Sequence, residues 1–307
     1  MTKTINETIR IIPLGGVGEI GKAMYVVEID EEIFIVDSGL MFPENEMLGI
    51  DIVIPDVTYL EENKARIKGI FLTHGHEDAI GSISYLLNKI QAPVYGSRLT
   101  IALAKEHLKE LPAAQPVKFF EVTNKSRMNF KSTHVTFFHT THSIPDSLGI
   151  VFHTSEGAIV HTGEFKFDQA AKGSYRPDIA KMAGLGEEGV FILMSDSTEA
   201  ERPGYTTSES VVEEHLSETF HGAKGRILVS LYSSNFIRIQ QVFDTAIESR
   251  RKVAVVGKTL ETVFEVGKRL EYLQIDEETL ISIKDIGNYA DHEVVIIVSG
   301  TQGEPIE

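Results

Sequence analysis

Apolar residues along this chain come in short bursts whose period changes near position 205. Before that point, Ile11-Ile12-Pro13-Leu14, Met24–Ile29, residues 33–36 and Gly69-Ile70-Phe71-Leu72 are runs rich in β-branched and aromatic side chains, which predict strands. Runs at 135–138, 150–152, 158–160 and 190–194 predict four more. Between them Ile80, Ile83, Leu86, Leu87 and Ile90 recur at helical spacing, predicting one helix over 79–90, then a strand over 93–96 and a helix over 100–108. After Pro203-Gly204 strands and helices alternate regularly. Thr206-x-x-Glu209 reads as a capping box opening a helix over 211–220. A strand at 226–231, a helix at 236–247, a strand at 252–256, a helix at 261–273 and a strand at 293–298 follow, the pattern of parallel βαβ units. The pattern divides the chain into 1–205, sheets covered by helices, and 206–307, a parallel αβ region.

Composition narrows the class. The chain has 307 residues, 42% hydrophobic and 24% charged, ordinary for a soluble globular protein of one large or two ordinary domains. It shows no segment like a signal peptide and no apolar run able to span a bilayer, so a cytoplasmic, membrane-free protein is expected. The absence of cysteine excludes disulfides and thiolate sites, leaving His, Asp and Glu as metal ligands. A net charge of −16 argues against a broadly basic nucleic-acid-binding surface. It leaves room for a local cleft, because bound cations invert the field of an acidic site.

The chemistry concentrates in loops after strands. In Thr73-His74-Gly75-His76-Glu77-Asp78-Ala79, two imidazoles and a carboxylate alternate directly after a strand, and both ligand types suit zinc or manganese. Residues 140–146 (Thr-Thr-His142-Ser-Ile-Pro-Asp), 162–168 (Thr-Gly-Glu164-Phe-Lys-Phe-Asp) and 195–198 (Ser-Asp196-Ser-Thr) repeat the arrangement. Polar loops at successive strand ends gather a site along one sheet edge. The glycine-rich stretch 15–21 suggests a phosphate cradle, but Tyr25-Val26-Val27 after it is strand-like, so a tight turn near the site is the better reading. His107, His134, His215, His221 and His292 lack ligand-type neighbours and read as uninvolved, while His139 and His161 sit on strands near the motifs. Asp196 fits either a site or a turn cap. Ser233-Ser234-Asn235 fits an N-cap cluster, a role compatible with phosphate binding. Arg250-Arg251-Lys252 reads as a solvated turn.

The order H-x-H-x-D, T-H-S-I-P-D-S, T-G-E-F-K-F-D, S-D-S-T resembles ribonuclease J, a family that joins a metallo-β-lactamase core to an inserted β-CASP domain. Residues 15–21, Val36-Asp37-Ser38-Gly39, Ser233-Ser234-Asn235 and Gly300-Thr301-Gln302-Gly303-Glu304-Pro305 match further signatures, so the resemblance spans essentially the whole chain. It implies an α/β fold: an αββα metallo-β-lactamase sandwich over 1–205, with a β-CASP αβ domain, here incomplete, over 206–307. It also implies RNA hydrolysis, with 5′-to-3′ exonuclease and endonuclease activities among relatives that serve RNA decay and rRNA maturation. Carried over, His74, His76 and His142 hold one metal, Glu164 bridges two, and Asp78 serves the second. Asp196 lies near the second metal and the reacting water, so Asp78 and Asp196 are the catalytic carboxylates. Asp37 supports the ligand loop, and Ser233, Ser234 and Asn235 face RNA phosphate. Members of the family continue past G-T-Q-G-E-P into a part that supplies a second-metal histidine and another histidine near the phosphate.

This chain departs from that pattern at two positions. Ala79 stands where a second-metal histidine is usual, and Glu164 where aspartate is usual. One added methylene moves a carboxylate by roughly 1.5 Å, against metal–ligand tolerances of about 0.2 Å. Both changes weaken the second metal site and resemble a weakly active second paralogue of the family, found in many Gram-positive bacteria, which partners the active one. The expectation is a low-activity ribonuclease holding Zn2+ or Mn2+ firmly at one site, with RNA and an active ribonuclease J paralogue as partners. A homo-oligomer is compatible with it. The alternative is a largely non-catalytic RNA-binding or scaffolding partner of that paralogue. A small-molecule hydrolase is disfavoured by the αβ region after Pro203.

Overall fold

The computed structural model describes residues 7–43 and 47–299; the G-T-Q-G-E-P stretch lies outside them. By contacts the chain forms two compact units, one of Met1–His142, Asp146–Phe167 and Gly173–Pro203, the other of Ser143–Pro145, Asp168–Lys172 and Gly204–Glu307.

In the first unit, β1 (Ile9–Gly15), β2 (Met24–Ile29), β3 (Glu32–Val36), β4 (Ile67–Phe71), β5 (Val94–Gly96) and β6 (Phe119–Glu121) form a sheet in that order. Pairing is antiparallel from β1 to β3 and parallel from β3 to β6. A second sheet has the order β11-β10-β9-β8-β7, from β7 (Arg127–Asn129), β8 (His134–His139), β9 (Leu148–Thr154), β10 (Gly157–His161) and β11 (Val190–Met194). The sheets meet through Val27, Phe34, Val36 and Phe71 on one side and Phe137, Ile150, Phe152 and Ile159 on the other. Phe71 anchors this interior: its ring stacks on Tyr95 at 4.8 Å and meets Phe152 edge-on at 5.9 Å. Strand alternation sends Phe138, Val151, Ala158 and Val160 to the opposite face, where Leu185 and Met182 of α5 (Ile179–Glu188) cover them. Apolar residues on both faces of a strand require this double cover. The short α1 (Thr58–Glu62) and α2 (Glu77–Ile80) precede α3 (Ile83–Lys89) and α4 (Arg98–Glu110), which bury Ile83, Leu86, Leu87, Leu99, Ile101 and Leu103. The result is the αββα sandwich that the motifs imply.

The second unit contains α6 (Glu209–Gly222), β12 (Ile227–Ser230), α7 (Phe236–Glu248), β13 (Lys252–Val256), α8 (Lys258–Arg269) and β14 (Val294–Val298). Its sheet is wholly parallel in the order β12-β14-β13, as the alternation predicts. Helices α7 and α8 bury Phe243 and Phe264 against each other, rings stacked at 5.6 Å.

Three expectations are corrected. The helix over 79–90 is broken into α2 and α3 at Gly81-Ser82. The Ala79 carbonyl, which a continuing helix would use internally, accepts instead from Ser38 N–H at 2.7 Å, and Ser82 N–H donates to Ser38 O at 2.9 Å. The capping box is also displaced. Ser208 is the N-cap of α6, and the Asp168 carboxylate accepts from Ser208 Oγ and Glu209 N–H. Finally, Arg251 is no solvated turn. It is buried, and its guanidinium donates to the carbonyls of Gly225, Phe220 and Ala223 at 3.0, 3.2 and 2.6 Å, closing the C-terminal end of α6.

Two predictions follow from these contacts. Arg251→Met leaves those carbonyls unpaired and should lower the stability of the chain by about 2–4 kcal/mol in urea unfolding. An unchanged midpoint would show that water replaces the guanidinium. His107 of α4 pairs with Glu77 at 3.4 Å. Burial pulls its imidazole down, but Glu77 first among the carboxylates outweighs this and raises it above the usual value. A raised folded pKa gives stability that is full below about pH 6.5 and is lost as pH climbs through the folded value. The stability gap between the parent and His107→Gln should therefore shrink from about pH 6 to about pH 9. A gap that widens over that range would contradict the pairing.

Candidate metal centre

The site grows from the C-terminal ends of adjacent strands. After β4, Leu72 stays in sheet register through its N–H to Tyr95 O at 2.8 Å, and the chain then turns into the loop Thr73-His74-Gly75-His76. From the second sheet, Leu148 N–H donates to Thr73 O at 2.8 Å. The neighbouring strand β3 is followed directly by Asp37, whose φ of 63° is a left-handed conformation that Asp tolerates better than most residues. Its Oδ1 accepts from Thr73 N–H at 2.7 Å and its Oδ2 from the Thr73 hydroxyl at 2.9 Å. With that proton committed, Thr73 Oγ1 can only accept from His74 Nδ1, 2.8 Å away. The chain Asp37–Thr73–His74 thus leaves the Nε2 lone pair of His74 as the available ligand atom. Gly39 permits the close packing that holds this corner, since a Cβ there would lie 1.5 Å from Asp78 O.

His142 and Glu164 arrive from the second sheet. The Thr141–Lys166 bridge, with Lys166 N–H donating to Thr141 O at 2.9 Å, sets their loops side by side. Gly163, at φ 62°, lets the Glu164 loop pass Thr73. His74, His76, His142 and Glu164 offer one donor atom each, and all four atoms lie within 4.8 Å of one another. His142 Nε2 is 3.2 Å from both His76 Nδ1 and Glu164 Oε2. Asp78 stands beside the cluster, its Oδ1 3.7 Å from His74 Nε2. Both of those atoms are enclosed and have no hydrogen-bond partner. Enclosed, facing, unpaired donor and acceptor atoms are what a bound cation would satisfy, so the residues fit a metal ion.

The electrostatics point the same way. Burial alone would pull His74 down, but Asp78, Glu164 and Asp37 outweigh it and hold the imidazole at about 9. Burial raises Asp37 to about 7 against the pull of His74 and the Thr73 hydrogen bonds. Burial, then Asp78, raises Glu164, while Asp78 stays low because His74 outweighs its own burial. Burial, then His76 and His74, push His142 well below the usual imidazole value. Positive charge is thus favoured at the centre of the cluster, and a divalent ion would supply it while displacing the protons.

The structure brings together His74, His76, His142 and Glu164, with Asp78 and Asp37 adjacent. A cavity of about 980 Å³ opens on them and is bordered also by Asp196. Asp196 does cap its turn, accepting from Thr198 N–H at 2.8 Å, and lies on the cavity wall as well. Ala79 is wholly buried and does not border the cavity. In the second unit Asn235 caps α7 by accepting from Arg238 N–H at 3.1 Å, with Ser233 and Ser234 buried beside it. Thr73 and Tyr25 were not singled out by sequence. The position of Thr73 between strand and ligands was the available signal, while Tyr25 on β2 offered none. Among the described residues His107, His134, His215, His221 and His292 lie outside the His74–His76–His142–Glu164 cluster, although His107 and His215 do have carboxylate partners.

Residues 17–197 match the metallo-beta-lactamase superfamily, and residues 224–307 match the beta-CASP domain of ribonuclease J. Ribonuclease J 2 of Staphylococcus aureus (strain MRSA252) is 58% identical over all 307 residues. The chain belongs to the ribonuclease J family. Ribonuclease J 2 of Staphylococcus saprophyticus is likewise 58% identical over the whole chain. The chain spans about half, 55%, of the length of these curated ribonuclease J relatives. Among solved structures, a protein of unknown function from Enterococcus faecalis V583 aligns with a TM-score of 0.66 at 12% identity, covering 95% of this chain and 77% of that one. That likeness concerns the fold alone.

The tautomer chain yields a prediction. In Asp37→Asn, the amide N–H would face the Thr73 hydroxyl, which would then donate to His74 Nδ1 and push the imidazole proton to Nε2. Competition titration with a chromogenic chelator should show divalent-metal affinity reduced about 10- to 100-fold, with folding retained. Unchanged affinity would place Asp37 outside the ligand-orienting network.

Proposed function

We propose that the protein is a metal-dependent ribonuclease that hydrolyses RNA phosphodiesters, with 5′-to-3′ exonuclease and endonuclease action of the kind used in RNA decay and rRNA maturation. The observation that carries this reading is the convergence of three imidazoles and Glu164 beneath an open cavity, in a chain 58% identical to ribonuclease J 2. His74, His76, His142 and Glu164 hold the first ion, and Asp78 with Glu164 serves a second. Nitrogen and carboxylate donors without thiolate suit Zn2+ or Mn2+. A bound divalent ion supplies Lewis-acid stabilisation of charge on the phosphate oxygens and a lowered pKa for water. Asp196 borders the cavity with a carboxylate that can accept from the attacking water, its orientation fixed by Thr198.

The core and β-CASP regions are taken as 1–205 and 206–307, supported by the family matches that end at 197 and begin at 224. Ser233, Ser234 and Asn235 are proposed to meet RNA phosphate with the N-terminus of α7, whose leading N–H groups favour anions. Among the described residues no helix is long and apolar enough to cross a membrane, which supports a cytoplasmic setting. An active ribonuclease J paralogue is the proposed protein partner, and self-association is compatible with this reading.

Ala79 offers no donor, and Glu164 carries one methylene more than the usual aspartate, so activity is proposed to be low. In the full-length protein, Ala79→His with Glu164→Asp should raise manganese-dependent cleavage of 5′-monophosphorylated RNA about tenfold or more, roughly 1.4 kcal/mol of barrier. Calorimetry should register a second binding event, and a melting curve controls for crowding at the buried position 79. A double variant that gains the second ion yet cleaves no faster would favour the scaffolding role.

A further inference from the structure

The sheet edge that carries the metal ligands carries another histidine, outside the cluster. His161 is the last residue of β10 and borders the same cavity as His74, Asp78 and Glu164. Its side chain is largely enclosed, the residue being 8% exposed, and its ring packs on Tyr25 with centroids 5.1 Å apart. Nδ1 accepts from the backbone N–H of Gly163 at 3.1 Å. A ring nitrogen that accepts carries no proton, so the neutral imidazole holds its proton on Nε2. Burial, then the neighbouring His74, lower the imidazole to about 4, which keeps it neutral near pH 7. Among the described residues, Gly163 is the only hydrogen-bond partner of this side chain. Among the described residues, the enclosed side-chain polar atoms without partners are His74 Nε2, Asp78 Oδ1, Thr140 Oγ1 and Gln241 Oε1. His161 Nε2 is not one of them, so its N–H reaches the cavity space.

A ring locked in one tautomer, with one free N–H, is a preorganised donor that needs no rearrangement when negative charge develops in front of it. Its neutrality matters. A lysine or arginine in the wall would repel a divalent ion bound nearby, whereas a neutral N–H serves an anionic oxygen without opposing the ion. The carboxylates that share the wall are acceptors and cannot meet a phosphate oxygen themselves. We propose that His161 is a catalytic residue that donates Nε2–H to a non-bridging oxygen of the RNA phosphate at the metal centre. This inference rests on the nuclease reading above.

Three variants of the full-length protein test it. His161→Leu removes the donor, His161→Phe keeps a ring against Tyr25 without an N–H, and His161→Gln returns an N–H close to the Nε2 position. With manganese and 5′-monophosphorylated RNA, kcat should fall about tenfold or more in the Leu and Phe variants. The Gln variant should recover most of the loss, and manganese affinity by calorimetry should stay at the parent's value in all of them. Sulfur at the non-bridging position, a poor acceptor, should slow the parent and have little further effect on the Leu and Phe variants. In 15N-histidine NMR of this chain, His161 should show a protonated Nε2 whose resonance shifts when orthophosphate is added with manganese replaced by diamagnetic zinc. Leu and Phe variants as fast as the parent, a Gln variant as slow as Leu, or loss of manganese affinity would each overturn the proposal. If the parent cleaves no RNA, the nuclease reading falls and the NMR titration decides alone. A phosphate-dependent shift of Nε2 supports the donor, and its absence overturns it.

Discussion

Asp37 connects the fold to the chemistry. It follows β3 directly, and the hydrogen bonds it accepts from Thr73 pin the first residue beyond β4's last ladder contact. Because β3 and β4 are parallel neighbours, their C-terminal ends emerge on the same sheet edge. The carboxylate therefore fixes the distance between two strand ends and, through the Thr73 hydroxyl, the tautomer of His74. The second sheet reaches the same corner by a backbone bond from Leu148 to Thr73 O. A single residue pair, Asp37 and Thr73, thus registers both sheets against the ligand loop. The rings of Phe71, Tyr95 and Phe152 pack on one another at the end of β4, two residues before Thr73. A left-handed backbone and a buried carboxylate are both unfavourable in isolation, and they persist here because the surrounding bonds over-determine them.

The cavity wall is acidic. Asp37, Asp78, Glu164, Asp196, Glu19, Glu199 and Glu201 border it, with Arg202 as the lone guanidinium among its described lining residues. In a chain of net charge −16 such a wall repels polyanions at long range and attracts divalent cations. Under the nuclease reading, RNA therefore engages the site only as a partner of bound ions, and ion binding is the step that reverses the field. The raised pKa of buried Glu164 and the raised pKa of His74 describe the same deficit from opposite sides: too much negative charge for the volume, relieved either by protons or by a metal.

The ligand loops were legible in sequence because ligand identity and strand position are local properties. His74, His76, His142 and Glu164 each follow a recognisable apolar run, so strand position and residue type marked their loops, and the resemblance to ribonuclease J named them as ligands. The parallel order of the second unit was legible for the same reason. What sequence hid depends on partners distant along the chain. Helix 79–90 looked continuous because its apolar spacing is unbroken, yet Ser38, some forty residues earlier, takes the carbonyl of Ala79 and the N–H of Ser82. Arg251 sits in a charged triplet, and only the fold shows that three carbonyls near the end of α6 surround it. His161 read as a strand residue, which it is. Its free N–H emerges only from the bond to Gly163 and from the cavity beside it.

The two halves of the proposed metal site are built differently. The first is woven into the sandwich: His74 through Asp37 and Thr73, His142 and Glu164 through the Thr141–Lys166 bridge. Its donors are held by bonds of the fold itself, so an ion binding there would meet little reorganisation. The second half has Asp78 and a share of Glu164, and a histidine at position 79 joins it only by displacing the packing around that position. Ala79 is fully enclosed, with its carbonyl committed to Ser38 and Gly39 packed against the adjoining Asp78 carbonyl. A larger side chain there must first open the contact between the 37–40 loop and α2, the same contact that seats Asp37. Packing around Ala79 and orientation of His74 are therefore coupled, and the density of that corner bears on both metal positions at once.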